Sequence, residues 1–131
     1  MVIDTSALLA ILQREPEEER LIRAIGVAPA CLISAGSLLE AGIIAQSRRG
    51  DQGARDIDLF VVRLRIEVAP VTEAQAHIAR RAFRRFGKGQ GHPASLNFGD
   101  CFAYALAIDT GEPLLFKGDD FSRTDVTTVP Y

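Results

Sequence analysis

The sequence predicts an α/β domain with a central parallel sheet of four or five strands and helices on both faces. Two observations carry that expectation. Short apolar runs at residues 1–3, 30–33, 66–71 and 114–116 are separated by stretches whose apolar residues recur at helical spacing. Strands that alternate with helices in this way run parallel and are joined by right-handed crossovers. The chain has 131 residues, 47% hydrophobic and 24% charged, which suits one packed domain over 1–131 with a core of its own. No internal repeat, linker or low-complexity segment divides it.

In chain order, Met1, Val2 and Ile3 form a short buried strand with Asp4 at its C-terminal end. Thr5 or Ser6 can cap the helix that begins near Ala7 and continues over 8–14. Pro16 suits the first turn of a second helix over 17–25. Its acids come early and Arg20 and Arg23 late, complementing the helix dipole, and Gly26 ends it. Residues 30–33 give the second strand. Ser34 opens a helix over 34–49 with Leu38, Leu39, Ile43 and Ile44 on one side, and Gly50 stops it. A further helix spans 51–65, carrying Ile57, Phe60, Val61 and Leu64. The third strand starts at Ile66 and ends at Pro70. Thr72 caps a helix running to Phe86, with Ile78, Ala79, Ala82, Phe83 and Phe86 inward. Residues 87–95, with three glycines and a proline, read as a loop. Asn97 opens the last helix, which ends before Gly111; residues 114–116 form the fourth strand, and 126–129 a fifth at the sheet edge.

Bulk properties exclude several classes. A net charge of −2 and a pI near 5.7 do not mark a broadly basic nucleic-acid binder, so any such site is local. Cys31 and Cys101 are far apart, lack a C-x-x-C pair and make no zinc framework. They read as two buried thiols in a reducing cytosol, and a cytoplasmic location is expected. No basic region followed by an apolar run suggests a signal peptide, and no apolar run nears the ~20 residues of a membrane span.

The informative residues are acids. In an open α/β sheet, ligands bind outside the carboxyl ends of the strands. Asp4 stands there, with a helix cap as its plain alternative. Glu40, in Ser37-Leu38-Leu39-Glu40, has capping-box spacing, yet Ser34 is the better helix start and leaves Glu40 inside the helix. It is the only acid between Glu19 and Asp51. A carboxylate on a mostly apolar helix is costly to bury without a cation; a solvent-facing Glu is the bland reading. Asp100 is the only acid from Ala74 to Ile108 and opens an almost wholly apolar helix, again with capping spacing to Asn97. Asp119 and Asp120 follow the fourth strand, where Gly-Asp also suits a simple turn, and Phe121 can anchor that loop. Together these acids converge on one sheet edge. Hard oxygen donors of this kind suit Mg²⁺ or Mn²⁺, the usual apparatus for hydrolysing a phosphodiester. Asp4 and Asp100 are expected to be the principal metal ligands, with Glu40 and Asp120 completing the cluster.

A local basic surface accompanies them. Arg80, Arg84 and Lys88 recur at four-residue spacing, as do Arg81 and Arg85, on one helix face. Contact with RNA phosphates and a merely solvated face are both open, and Arg48 and Arg49 can extend the patch.

With these residues in place, the chain resembles the PIN-domain ribonucleases and, among them, the VapC toxins of bacterial type II toxin–antitoxin systems. The resemblance covers essentially the whole chain. It rests on Met-Val-Ile-Asp-Thr-Ser-Ala-Leu at 1–8, Ser-Leu-Leu-Glu at 37–40, Leu-Asn-Phe-Gly-Asp-Cys-Phe-Ala-Tyr-Ala at 96–105 and Leu-Leu-Phe-Lys-Gly-Asp-Asp-Phe-Ser-Arg-Thr-Asp at 114–125. It implies a PIN-like domain and a Mg²⁺- or Mn²⁺-dependent endoribonuclease that cuts RNA and arrests translation. Asp4, Glu40 and Asp100 match the family's three most regular acids. Gly118 stands where many members carry an acid, so the fourth acid is assigned to Asp120, with Asp119 as the alternative. Ser6 matches the hydroxyl residue that supports the first acid. The resemblance also implies a homodimer and a VapB-type antitoxin that covers the acidic site, with DNA bound only through that complex.

Two other classes use the same sheet edge. A receiver module needs a phosphorylatable Asp at the third strand end, and residues 67–72 offer none. A haloacid-dehalogenase-like phosphatase needs a second Asp two residues after the first, where this chain has Ser6. A catalytically inactive PIN-fold binding module is the remaining alternative.

Overall fold

The computed structural model describes residues 1–131. Its order is β1 (Val2–Ile3), α1 (Thr5–Leu12), α2 (Glu18–Val27), β2 (Cys31–Ser34), α3 (Ala35–Arg63), β3 (Ile66–Ala69), α4 (Glu73–Phe86), α5 (Asp100–Thr110) and β4 (Leu114–Leu115). A single 3₁₀ turn covers Phe121–Arg123. The four strands form one sheet in the order β3-β2-β1-β4, and every pairing is parallel.

Alternation along the strands splits the core in two. Met1, Ile3, Cys31, Ile33, Ile66 and Leu115 pack with α1, α2 and α3 through Leu8, Ile11, Leu21, Ala41 and Ile57. Val2, Leu114 and Phe116 face the other way, onto Ala82 and Phe86 of α4 and Ala103, Tyr104 and Leu106 of α5. The period-two side-chain direction of a strand is what lets a two-residue β1 serve both layers. Cys31 and Cys101 are buried free thiols. No helix is long and apolar enough to cross a membrane.

Four boundaries differ from the sequence expectation. The first helix starts at Thr5, so its cap is Asp4 itself, whose carboxylate accepts the Ser6 N–H. The second helix continues through Gly26 to Val27, because a glycine weakens a helix without ending it. Gly50 does not stop the third helix. It kinks it: Arg49 and Gly50 leave helical geometry, Gly50 at φ 60°, and the helix resumes to Arg63. The positive φ is one that glycine adopts without steric cost. The expected fifth strand over 126–129 is reduced to one parallel bridge between Leu114 and Thr128. Leu114 donates its N–H to Thr127 and accepts one from Val129, and a two-residue β4 has little further backbone to offer.

Caps place the remaining helices as expected. Ser34 accepts from Gly36 N–H at 3.2 Å and starts α3, leaving Glu40 inside that helix. Thr72 accepts from Gln75 N–H at 3.2 Å and starts α4. Asn97 and Asp100 bond reciprocally: Asp100 N–H donates to Asn97 Oδ1 at 2.9 Å, and Asn97 N–H donates to Asp100 Oδ2 at 2.7 Å.

Candidate active site

Because all strands are parallel, their carboxyl ends share one edge, and β1 lies inside the sheet. Asp4 follows β1 directly and is 2% exposed. Its two oxygens have different fates. Oδ2 accepts from Ser6 N–H at 2.8 Å and from Ser6 Oγ–H at 2.6 Å. Oδ1 is buried and has no partner. Capping and function are therefore not alternatives at Asp4: one oxygen caps α1 and the other is left over. Ser6 Oγ in turn accepts Lys117 N–H at 2.9 Å, tying the loop after β4 to the first acid.

Asp100 also combines a local bond with the cluster: its Oδ2 closes the Asn97 box, and the charges of Asp4, Asp120 and Glu40 act on it. Burial pushes Asp100 up to about 7, opposed by its bond from Asn97 N–H and reinforced by the charges of Asp4, Asp120 and Glu40. Burial likewise raises Asp4 to about 6; the Ser6 bonds counter it and the Glu40 charge adds to it. An apolar surrounding penalises the ionised form, and like charges penalise it further. Asp4, Glu40, Asp100 and Asp120 thus share one electrostatic field, although they come from β1, α3, α5 and the loop after β4. None of the ion pairs in the structure includes Asp4, Glu40, Asp100 or Asp120.

The loop after β4 carries both Asp119 and Asp120. Phe121 is buried and packs edge-on against Phe116 with ring centroids 5.1 Å apart. Asp120, directly before it, acts on Asp100. The Asp119 carbonyl accepts Ser122 Oγ–H at 2.6 Å.

Two residues escape a sequence reading. Thr5 Oγ1 lies 2.8 Å from Glu40 Oε2 and 3.1 Å from Ser37 O. Gly99 lies so close to Glu40 that any Cβ there would overlap its carboxylate. Only the packing of α1 and α5 against α3 creates these contacts. The adjacency of Thr5 to Asp4, and of Gly99 to Asp100, was the one available hint.

The donors fit a hard divalent cation. They are carboxylate oxygens, one is buried without a partner, and their charges lack a protein counter-charge. No three His, Cys, Asp or Glu side chains close into a ready-made metal shell. An open set of this kind suits an ion that retains several of its waters, as Mg²⁺ does.

The basic surface is only partly as expected. Arg80, Arg81, Arg84 and Lys88 are exposed on or just beyond α4. Arg85 is committed elsewhere: it pairs with Asp125 at 2.9 Å and sits 4.5 Å from the centre of the Phe86 ring. Arg48 and Arg49 do not extend the patch. Arg48 donates to Gln13 at 2.6 Å and Arg49 pairs with Asp56 at 3.0 Å, on the α1–α3 layer across the sheet from α4.

Comparison with known proteins identifies the family and the fold. The family model described as PIN domain matches residues 1–126. Ribonuclease VapC of Mycolicibacterium smegmatis is 50% identical over 129 residues, covering 98% of this chain and 99% of its own. The crystal structure of Mycobacterium tuberculosis VapC20, described as a sarcin-ricin loop cleaving toxin, superposes with a TM-score of 0.77 at 20% identity, covering 99% of this chain and 98% of its own. VapBC2 from Rickettsia felis, bound to a DNA fragment from its promoter, superposes with a TM-score of 0.76 at 14% identity, covering 98% of this chain and 96% of that one. The chain belongs to the PIN domain family and, within it, to the VapC ribonucleases.

Proposed function

We propose that the chain is the toxin of a type II toxin–antitoxin system, an endoribonuclease that cleaves RNA phosphodiester bonds with Mg²⁺ or Mn²⁺ and so inhibits translation. The observation that carries the reading is the acid cluster without an ion-pair partner: Asp4 buried and Asp100 half-buried, raised to about 6 and about 7 first by burial and then by neighbouring carboxylates, with Asp4 Oδ1 unpartnered. Such a cluster is poorly suited to bind a polyanion by itself. It becomes suited once a cation joins it.

Asp4 and Asp100 would hold the ion, and Glu40 and Asp120 would complete the cluster around it. A divalent ion held there would supply a lowered pKa for water and positive charge opposite the phosphoryl oxygens and the leaving group. Glu40 and Asp120 orient the attacking water in line with phosphorus. Attack breaks the bond from phosphorus to the 3′-oxygen, which leaves as a hydroxyl. Ser6 keeps Asp4 in place throughout. Arg80, Arg81, Arg84 and Lys88 supply sequence-independent phosphate contacts, with Arg85 a weaker contributor because Asp125 already engages it.

A VapB-type antitoxin is the partner this reading expects, in an assembly of toxin homodimers that binds DNA only through the antitoxin. An apolar surface is available for such a partner next to the acids. Leu39, Ile43 and Phe98 are 65%, 56% and 78% exposed, and with Glu40 and Gly99 they line a groove of about 320 Å³.

The test is cleavage of total cellular RNA by the purified chain with Mg²⁺, Mn²⁺ or EDTA, beside Asp100→Asn. Discrete fragments that require the metal and vanish in the variant are expected. A folded chain, free of any antitoxin, that cuts nothing would favour the inactive binding module.

A further inference from the structure

Glu40 is the outlier among the four acids. It arrives from α3 on a side chain with three rotatable bonds, whereas Asp4 and Asp100 are fixed by bonds from Ser6 and Asn97. Its carboxylate is nevertheless held on two sides by groups that take no part in the chemistry described above. Thr5 Oγ1 is 2.8 Å from Oε2, and the bare Cα of Gly99 packs against the head group.

We infer that Thr5 and Gly99 form a slot that fixes the Glu40 carboxylate toward the cation site, making Thr5 a positioning residue for hydrolysis. The inference rests on the nuclease reading and adds to it a residue that acts through Glu40.

A threonine hydroxyl has one proton to donate, and two acceptors are in reach. Ser37 O is the more distant, at 3.1 Å. Glu40 Oε2 is nearer and, when ionised, the stronger acceptor. Thr5 itself is 4% exposed, so its hydroxyl has little access to water as a substitute partner. Thr5 has few first-torsion rotamers open to it as a β-branched helical residue, and the one it holds puts its hydroxyl between Ser37 O and Glu40 Oε2. Gly99 works by absence. Any larger residue would push the carboxylate out, so the chain element that delivers Asp100 also shapes the seat of Glu40. Consecutive residues therefore serve different acids: Asp4 is the ligand, Thr5 orients Glu40, and Ser6 orients Asp4.

A purely structural Thr5, tying α1 to α3 through the Ser37 carbonyl, would affect stability alone. Mn²⁺ titration calorimetry on the full chain, with thermal melting and RNA cleavage in parallel, separates the two. Thr5→Val should weaken Mn²⁺ binding by about tenfold or more, as loss of a group orienting a metal ligand commonly does. Thr5→Ser should restore it to within about threefold. Gly99→Ala should reproduce the loss, and it carries the test where Thr5→Val proves too unstable to measure. In a Glu40→Ala background, both changes should alter Mn²⁺ binding by less than about twofold, because the group they act through is gone. Wild-type affinity in Thr5→Val and Gly99→Ala overturns the inference, as does an equal loss with and without Glu40. A wild-type chain that neither binds Mn²⁺ nor cuts RNA overturns the nuclease reading and this inference with it.

Discussion

Asp100 and Asp125 are the same residue type treated in opposite ways by one helix. Asp100 opens α5, and burial first, with three neighbouring carboxylates adding to it, pushes it up to about 7. Asp125 lies against the same helix one turn on. It accepts Tyr104 Oη–H at 2.5 Å and pairs with Arg85 at 2.9 Å, and the Tyr104 bond foremost holds its carboxyl below the usual range. The ion cluster of Lys117 with Glu15 and Glu17 follows the Asp125 pattern, each acid having a cation at hand. At these two places the chain meets a structural carboxylate with a counter-charge. At the strand edge it leaves the charge unmet, and an uncompensated cluster of that sort is a mark of function.

The comparison is broken most severely by neutralising the unmet charges. Asp4→Asn and Asp100→Asn should each lower RNA cleavage by about a hundredfold or more, the scale of losing an electrostatic catalytic group. The amide can still accept the capping bond from Ser6 or Asn97, so melting of the metal-free variants should be unchanged or higher. A variant that cuts normally removes that acid from the proposed site.

The pH dependence of stability follows next. An acid raised in the folded state binds protons that the unfolded chain has released, so metal-free stability falls as pH rises from about 4 to 7. For Asp4, moved from 3.8 to about 6, the penalty above pH 7 is on the order of 3 kcal/mol. Melting of the metal-free chain should therefore shift upward between pH 8 and pH 5. Mn²⁺ at pH 8 should recover most of that difference, and Asp4→Asn should flatten the profile. A wild-type melting temperature that is flat from pH 5 to 8 in the absence of metal would contradict the burial penalty on Asp4.

The compensated side should behave differently. Tyr104→Phe removes the donor to Asp125 and should cost about 1 kcal/mol in denaturant unfolding, a modest figure because Asp125 is half exposed. Mn²⁺ affinity should not change. The smallest effect belongs to the α4 arginines. Arg84→Ala should weaken RNA binding roughly severalfold and reduce its salt dependence by about one ion. Arg85→Ala should act more on stability than on RNA. Equal effects of the two on RNA would mean that the Arg85–Asp125 pair opens in the complex.

Much of this was legible in one dimension. Alternating apolar runs gave the parallel sheet, since side-chain periods of 2 and 3.6 differ whatever the surroundings. Ser34 and Thr72 marked helix starts because caps are local hydrogen bonds. The isolation of Glu40 and Asp100 in long acid-free stretches singled them out. Other features were not local. Whether Gly50 ends a helix or bends it depends on what the following turns pack against. That Arg85 is engaged and Arg48 lies across the sheet depends on which layer each helix joins.

The sequence alone determined the fold class, the order of elements and the acids at the strand ends, because these follow from short-range periodicity and capping chemistry. Tertiary structure alone decided that four acids from four elements share one field, that one Asp4 oxygen caps while the other is left unpartnered, and that Thr5 and Gly99 enclose Glu40. Burial and proximity between residues far apart in the chain are properties of packing, and no local pattern encodes them.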